Sequence, residues 1–411
     1  MSADRQHFVL VGGGQCSAAA AAALRSRGFG GRITLVGAEP DLPYERPPLS
    51  KDYLLGKTAG TELTIHDAGW YADHDVDLLL STQVTGVDPA ARTLALGGGG
   101  TLGYDRLLVA TGGRARTLPG PGSDRVVYLR TREEAARLAG LLRGGASLVI
   151  LGGGFIGCEV AAAARTLGGD VTVLEMQDTP LQAVLGPVVG ARLADLHRGE
   201  GVTLRTGERV ESVAEHDGGL LVRTDRAELD CSLLLVATGI LPNTEFLDGS
   251  GVRRDDGVVV DEYSQTNVPG IYAAGDVARH DHPVFGEPVR VEHYDNANKQ
   301  GTAVAASMLG EGEPFADPHW FWSDQYEHNL QSVGVARGYD EIILRGSEDD
   351  VSFSAFYLAG GVVRAVFALN RAHDVTVGRR MVRVRLRPDP DELRDESVDL
   401  RRLLRPERRK P

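Results

Sequence analysis

One local pattern, used twice, constrains this chain more than any other feature. Residues 8–11 are apolar and run into Gly12, Gly13 and Gly14, then Gln15, Cys16, Ser17 and an alanine run ending at Leu24. Residues 148–151 are again apolar and run into Gly152, Gly153 and Gly154, then Phe155, Ile156, Gly157, Cys158, Glu159 and a small-residue run to Leu167. Another apolar segment follows each copy, at 32–36 and at 170–174. Strand, glycine turn, helix and strand make a βαβ unit with a specific physical use. Gly12 and Gly152 permit the tight turn, and Gly14 and Gly154 let the backbone approach a pyrophosphate. The third position, Ser17 in one copy and Gly157 in the other, keeps helix and strand close, while the helix N-terminus offers N–H groups to the phosphates. Phe155 and Ile156 open the second helix beside its turn. Two such units imply two dinucleotides, and the chemistry that two dinucleotides share is hydride transfer.

A chain of 411 residues has room for two or three domains. Its net charge of −13 argues against general affinity for nucleic acid. The sign is not uniform: from Arg371 onward 13 Lys/Arg stand against 8 Asp/Glu, so the C-terminal part is basic. The three cysteines, Cys16, Cys158 and Cys231, have no close spacing that would suggest a disulfide framework or a metal site. No metal is expected, and the cysteine usage fits a reducing cytoplasm. The apolar start at 8–24 resembles a leader only superficially, because three successive glycines interrupt it and the pattern recurs at 148. No run is apolar for long enough to span a membrane.

Beyond the first βαβ unit, Glu39 stands a residue or two late for the acid that grips an adenosine ribose. Residues 42–51 hold Pro43, Pro47 and Pro48 and form a stiff, extended loop. Arg46 and Lys51 on that loop are placed to make a cationic wall for a flavin. Thr131 and Glu134 are spaced as a capping box for a helix running to about Arg143. Glu175 follows its strand directly, 23 residues beyond Gly152, where a ribose acid belongs. A carboxylate there accepts from both ribose hydroxyls and repels a 2′-phosphate, and no Arg or Lys follows within 176–184. NADH is therefore expected over NADPH.

The glycine turn followed by Pro43, Tyr44, Glu45, Arg46, Pro47, Pro48, Leu49, Ser50 and Lys51 resembles the FAD-dependent, NADH-using ferredoxin reductases of the putidaredoxin-reductase type, which share the glutathione-reductase fold. The resemblance runs over essentially the whole chain. It implies an α/β architecture of two Rossmann-like dinucleotide-binding domains plus a C-terminal α+β domain. The implied FAD-binding domain is discontinuous, at 1–116 and 246–318, with the NADH-binding domain at 117–245 and the C-terminal interface domain at 319–411. The resemblance further implies that Val84, the Ala110-Thr111-Gly112 element, Arg130, Asp276, Tyr294 and Trp320 contact FAD. It implies that Gly239 belongs to the element closing the NADH domain, and that Lys51 pairs with Glu159 beside the flavin and nicotinamide rings. In the last domain, residues 320–326 form an aromatic knot. Strands are expected at 330–335, 341–344, 351–358 and 362–369, with a helix near 374–384. There are three departures from the family pattern: Ser17 replaces the third glycine, Ala38 stands where relatives often carry the ribose acid, and His293 and Tyr294 occupy a variable site.

Disulfide reductases of this fold pass electrons to a C-x₄-C dithiol near the first helix; here that region holds the proline loop. Electrons must then leave the flavin directly. The resemblance implies a [2Fe-2S] ferredoxin as acceptor, itself serving a haem monooxygenase or ring-hydroxylating dioxygenase. Such ferredoxins are usually acidic and suit a basic docking face. A monomer or weak homodimer is expected. Two other readings stay open at this point: an NADH-dependent flavoenzyme acting on rubredoxin, a quinone or monodehydroascorbate, and a redox-sensing flavoprotein like apoptosis-inducing factor.

Overall fold

The computed structural model describes residues 6–120, 122–347 and 351–405. These fall into two compact units. The first is built from the chain up to Arg46, Gly60–Arg114 and Ile240–His319; the second from Pro47–Ala59, Ala115–Gly239 and the chain from Trp320 onward.

The first unit is centred on a five-stranded parallel sheet. Its order is Ile271–Ala273, Arg106–Val109, His7–Val11, Arg32–Val36 and Val76–Leu79. Both faces are buried, which is why these strands read as unbroken apolar runs rather than as alternating ones. Phe8, Leu10, Ile33 and Leu35 pack on one side with Leu24, Val304 and Met308. Val9, Val11, Val36 and Val109 pack on the other with Val84 and Leu94. The alanine run of the helix Gln15–Ser26 lets the helix Tyr294–Leu309 lie close against it. A side chain at Gly301 would put its first carbon 2.5 Å from the Cys16 carbonyl oxygen, so only glycine fits that crossing.

The second unit repeats the parallel sheet, in the order Thr203–Thr206, Val171–Glu175, Leu148–Leu151, Leu233–Val236 and Val126–Val127. It also contains a five-stranded antiparallel sheet, in the order Trp320–Gln325, His328–Gly334, Val362–Leu369, Phe353–Ala359 and Glu341–Arg345, backed by the helix Ala372–Arg383. The stretch expected to be an aromatic knot is thus a regular edge strand. Its side chains alternate: Phe321, Ser323 and Gln325 point inward and are buried, while Trp320, Trp322 and Asp324 lie on the more open face. The knot reading failed because clustered aromatics masked a period-two pattern whose buried face is largely polar. The architecture is otherwise as the sequence implies: two parallel Rossmann-like sheets and a C-terminal α+β sheet.

Candidate functional site

The first glycine turn is shaped by contact with the neighbouring strand. Gly12 has φ +126°, and a β-carbon there would lie 2.1 Å from the Ala110 carbonyl oxygen. Gly14 caps the helix Gln15–Ser26 without any side-chain hydrogen bond, and no acid sits in the first helical turn. The helix therefore presents its N–H groups and positive end uncompensated. Ser17 is fully buried and its hydroxyl has no hydrogen-bond partner among the described residues. A glycine cradle, a bare helix start and an orphaned buried hydroxyl fit a dinucleotide pyrophosphate. Ala110, Thr111 and Gly112 end the strand alongside. Thr111 donates to the Asn243 carbonyl at 2.7 Å, and the Asn243 amide returns a bond to the Thr111 carbonyl at 3.0 Å. Val84 is buried at the head of its own strand. Asp276 lies in the turn Gly275–Val277, close enough for its charge to act on both Cys16 and Arg46.

Glu39 and Arg46 bind each other. Arg46 Nη2 reaches Glu39 Oε1 at 2.6 Å, Arg46 Nη1 donates to the Tyr44 hydroxyl at 2.9 Å, and that hydroxyl donates to Glu39 Oε2 at 2.5 Å. Burial opposes the Arg46 charge, but Tyr44, Glu39 and Asp276 together hold its pKa above the ordinary arginine value. Sequence reasoning gave these residues separate tasks; the structure makes them a closed triad in which each carboxylate oxygen still has a lone pair to offer. Tyr294, opening the helix Tyr294–Leu309, donates to Glu45 at 2.6 Å.

The second glycine turn follows the same physics. Gly152 has φ +107° and faces the Ala237 carbonyl, and a β-carbon on Gly157 would meet the Gly152 carbonyl oxygen at 2.0 Å. The third glycine of this motif is thus fixed by helix-to-turn contact. Gly154 caps the helix Phe155–Thr166, again with no side-chain bond. Glu175 is clamped at the strand end, accepting from the Gly153 N–H at 2.7 Å and the Gln177 N–H at 2.8 Å. Ile156 is exposed at the helix start, whereas Phe155 packs edge-on against Phe321 at 4.6 Å. Gly239, with φ +91°, accepts from the Arg116 N–H. Arg130 precedes the expected capping box, in which Glu134 takes the Arg130 and Thr131 N–H groups and Thr131 accepts from Glu134.

In the same unit the proline loop delivers Lys51 to Glu159. Lys51 Nζ lies 3.0 Å from Glu159 Oε1, with side chains 13% and 4% exposed. Ser50 donates to Glu159 Oε2 and Ser323 to Oε1, the latter at 2.6 Å. The Lys51 ammonium sits 5.7 Å from the Trp322 ring. Trp320 is stacked on Trp322 at 5.2 Å and bonds to Gln331, so the tryptophan that meets Lys51 is Trp322. Ser50, Ser323 and Trp322 were missed by sequence reasoning; strict alternation along 320–325 was the signal that separates them.

The cysteines hold no dithiol. All three are free and buried, and burial pushes the Cys16 and Cys158 thiols well above their ordinary range. No metal was expected, yet three buried histidines, His280, His282 and His319, bring one nitrogen each within 4.8 Å of one another. His282 has both nitrogens engaged, donating to the Asp317 carbonyl and accepting from the Val284 N–H, so it has no free lone pair in this arrangement. No helix among the described residues is long and apolar enough to cross a membrane.

Comparison with known proteins covers nearly the whole chain. The pyridine nucleotide-disulphide oxidoreductase family matches residues 6–301, and the reductase C-terminal family matches residues 320–404. The ferredoxin–NAD(+) reductase component of the anthranilate 1,2-dioxygenase system of Burkholderia cepacia is 40% identical over 98% of this chain and 100% of its own. Putidaredoxin reductase of Pseudomonas putida is 38% identical over 97% and 96%. A chain in the crystal structure of the covalent putidaredoxin reductase–putidaredoxin complex superposes with a TM-score of 0.94 at 37% identity, covering 97% of this chain and 98% of that one.

Proposed function

The chain belongs to the pyridine nucleotide-disulphide oxidoreductase family, and from that premise we propose that it passes electrons from NADH through FAD to a [2Fe-2S] ferredoxin serving a monooxygenase or dioxygenase. The observation that carries this reading is the likeness, end to end and including the C-terminal match at 320–404, to reductases that serve ferredoxins.

When bound, FAD supplies the redox chemistry, accepting a hydride and releasing electrons singly. The chain supplies binding and electrostatics. Residues 1–116 and 246–318 hold FAD: Gly12, Gly14 and Ser17 take the pyrophosphate, the Glu39–Tyr44–Arg46 triad and Val84 take the adenosine end, and Ala110, Thr111, Gly112, Asp276 and Tyr294 line the rest. Residues 117–245 hold NADH: Gly152, Gly154, Phe155, Ile156 and Gly157 form the pyrophosphate cradle, and Gly239 closes the domain. Glu175 is pre-oriented by two backbone N–H groups, which leaves its remaining lone pairs for ribose hydroxyls and its charge to reject a 2′-phosphate. Lys51, held by Glu159, provides positive charge where negative charge develops on hydride arrival. Within the interface domain 319–411, the stretch from Arg371 onward is basic and offers the docking face for an acidic carrier. Three buried, unpaired cysteines fit a reducing cytoplasm.

The test is anaerobic. The flavoprotein is reduced with NADH, mixed with an oxidised [2Fe-2S] ferredoxin, and flavin reoxidation is followed at low and high salt. Fast reoxidation that slows with salt is expected. Rapid reduction by NADH without reoxidation by any of several ferredoxins would instead point to a small-molecule acceptor or a redox sensor.

A further inference from the structure

The Glu159 carboxylate ends a longer buried chain of hydrogen bonds. Ser323 Oγ lies 2.6 Å from Glu159 Oε1; Gln325 Nε2 lies 3.1 Å from Ser323 Oγ; His197 Nε2 lies 3.0 Å from Gln325 Oε1; and the Tyr326 hydroxyl lies 2.8 Å from His197 Nδ1. Glu159, Ser323, Gln325 and His197 are each no more than 4% exposed. The strand Trp320–Gln325 and the turn after it supply three members, and the last turn of the helix Gln182–Gly199 supplies His197.

The carboxylate fixes the direction of every link. Paired with Lys51, it can only accept, so Ser323 must donate to it. Ser323 then has only lone pairs for Gln325, which must turn its NH₂ toward the serine and its carbonyl toward His197. That carbonyl only accepts, so His197 must carry its proton on Nε2. Nδ1 is left with a lone pair, which the Tyr326 hydroxyl fills. Burial favours this neutral state, pushing His197 down to about 4 and the Tyr326 phenol upward. All donors point one way, toward Glu159, and aligned bonds in a dry interior polarise one another.

We propose that His197, Gln325 and Ser323 are positioning residues for hydride transfer, a one-directional chain that fixes the Glu159 carboxylate and through it the Lys51 ammonium. The proposal rests on the reductase reading for Lys51. None of the three needs to touch a cofactor to act; each acts through Glu159.

Two measurements on the intact flavoprotein test it. Nitrogen-15 NMR of labelled histidines should find His197 neutral with its proton on Nε2 from pH 8 to about pH 5. A proton on Nδ1, or a charged ring at pH 7, overturns the chain's direction. This readout does not depend on activity. Stopped-flow reduction by NADH is then compared for wild type, Gln325→Leu and Ser323→Ala, with thermal melting of each. The limiting rate should fall about tenfold in Ser323→Ala, the size of one lost hydrogen bond to a charged group, and about threefold in Gln325→Leu, which removes a neutral bond one link further back, while the half-saturating NADH concentration is unchanged. A wild-type limiting rate in either folded variant, or a change confined to half-saturation, overturns the proposal. Ser323→Ala is the smaller change and keeps the test usable if Gln325→Leu does not fold. A wild-type flavin that NADH fails to reduce would refute the reductase reading instead, leaving the His197 tautomer to decide the chain.

Discussion

Replacing Lys51 with methionine isolates one buried charge at nearly constant volume. In the intact protein Glu159 is 4% exposed and receives Lys51 at 3.0 Å, Ser323 at 2.6 Å and Ser50. Removing one partner of a buried ion pair costs about 3–5 kcal/mol, chiefly because the remaining charge is left without compensation. Here two hydroxyl donors stay on the carboxylate, so the lower end, about 3 kcal/mol, is expected. For a unit of this size that lowers the melting temperature by roughly 6–12 °C. Melting is followed for wild type, Lys51→Met, Glu159→Gln and the double variant, and the same four proteins are reduced anaerobically by NADH. The double variant should recover most of the loss, because no uncompensated charge remains. Flavin reduction should fall in Lys51→Met and stay low in the double variant, because the cation is still absent. Two results refute the reasoning: a single variant that melts like wild type, and a Lys51→Met protein that reduces its flavin at the normal rate.

Glu175→Ser should narrow the preference for NADH over NADPH by roughly tenfold to a hundredfold, the value of a hydrogen bond to a charged group together with lost repulsion, read as the ratio of the two kcat/KM values; an unchanged ratio removes Glu175 from coenzyme choice. Gly157→Ala puts a β-carbon 2.0 Å from the Gly152 carbonyl oxygen. The second turn must open, so NADH affinity should fall at least about tenfold while the FAD content per chain, measured from the visible spectrum, stays at the wild-type level. Burial, helped by neighbouring His282, pushes His280 down to about 3, whereas an unfolded histidine titrates near 6.5. The unfolded chain therefore binds protons first, and the stability present above pH 6.5 is lost as pH falls toward 3, on the order of 5 kcal/mol for this ring. His280→Leu should flatten that part of the pH–stability curve in chemical denaturation; an unchanged slope excludes the assignment.

Both dinucleotide turns were legible in the sequence because their function is local. A tight turn, a close backbone approach and a bare helix start each demand glycine at a fixed spacing, and the flanking strands are buried on both faces and so read as apolar runs. Glu175 was legible for the same reason, since its place is set by the strand it ends. The partners of Glu159, and the residues behind them, were not. Ser50, Ser323, Gln325 and His197 come from a proline loop, an edge strand and the end of a distant helix, and each is an ordinary polar residue in its own segment. Only packing brings Ser50 and Ser323 onto one buried carboxylate and lines Gln325 and His197 up behind Ser323, where desolvation makes every remaining lone pair costly to leave unfilled. Glu39 and Arg46 show the same limit, because local position suggested two separate roles and folding closed them into one triad with Tyr44. Sequence alone determined that this chain carries two glycine turns that open helices without side-chain caps, and an acid at the end of the strand after the second turn. The tertiary structure decided what surrounds Lys51, because hydrogen bonds between segments far apart in the chain leave no periodic signal in either.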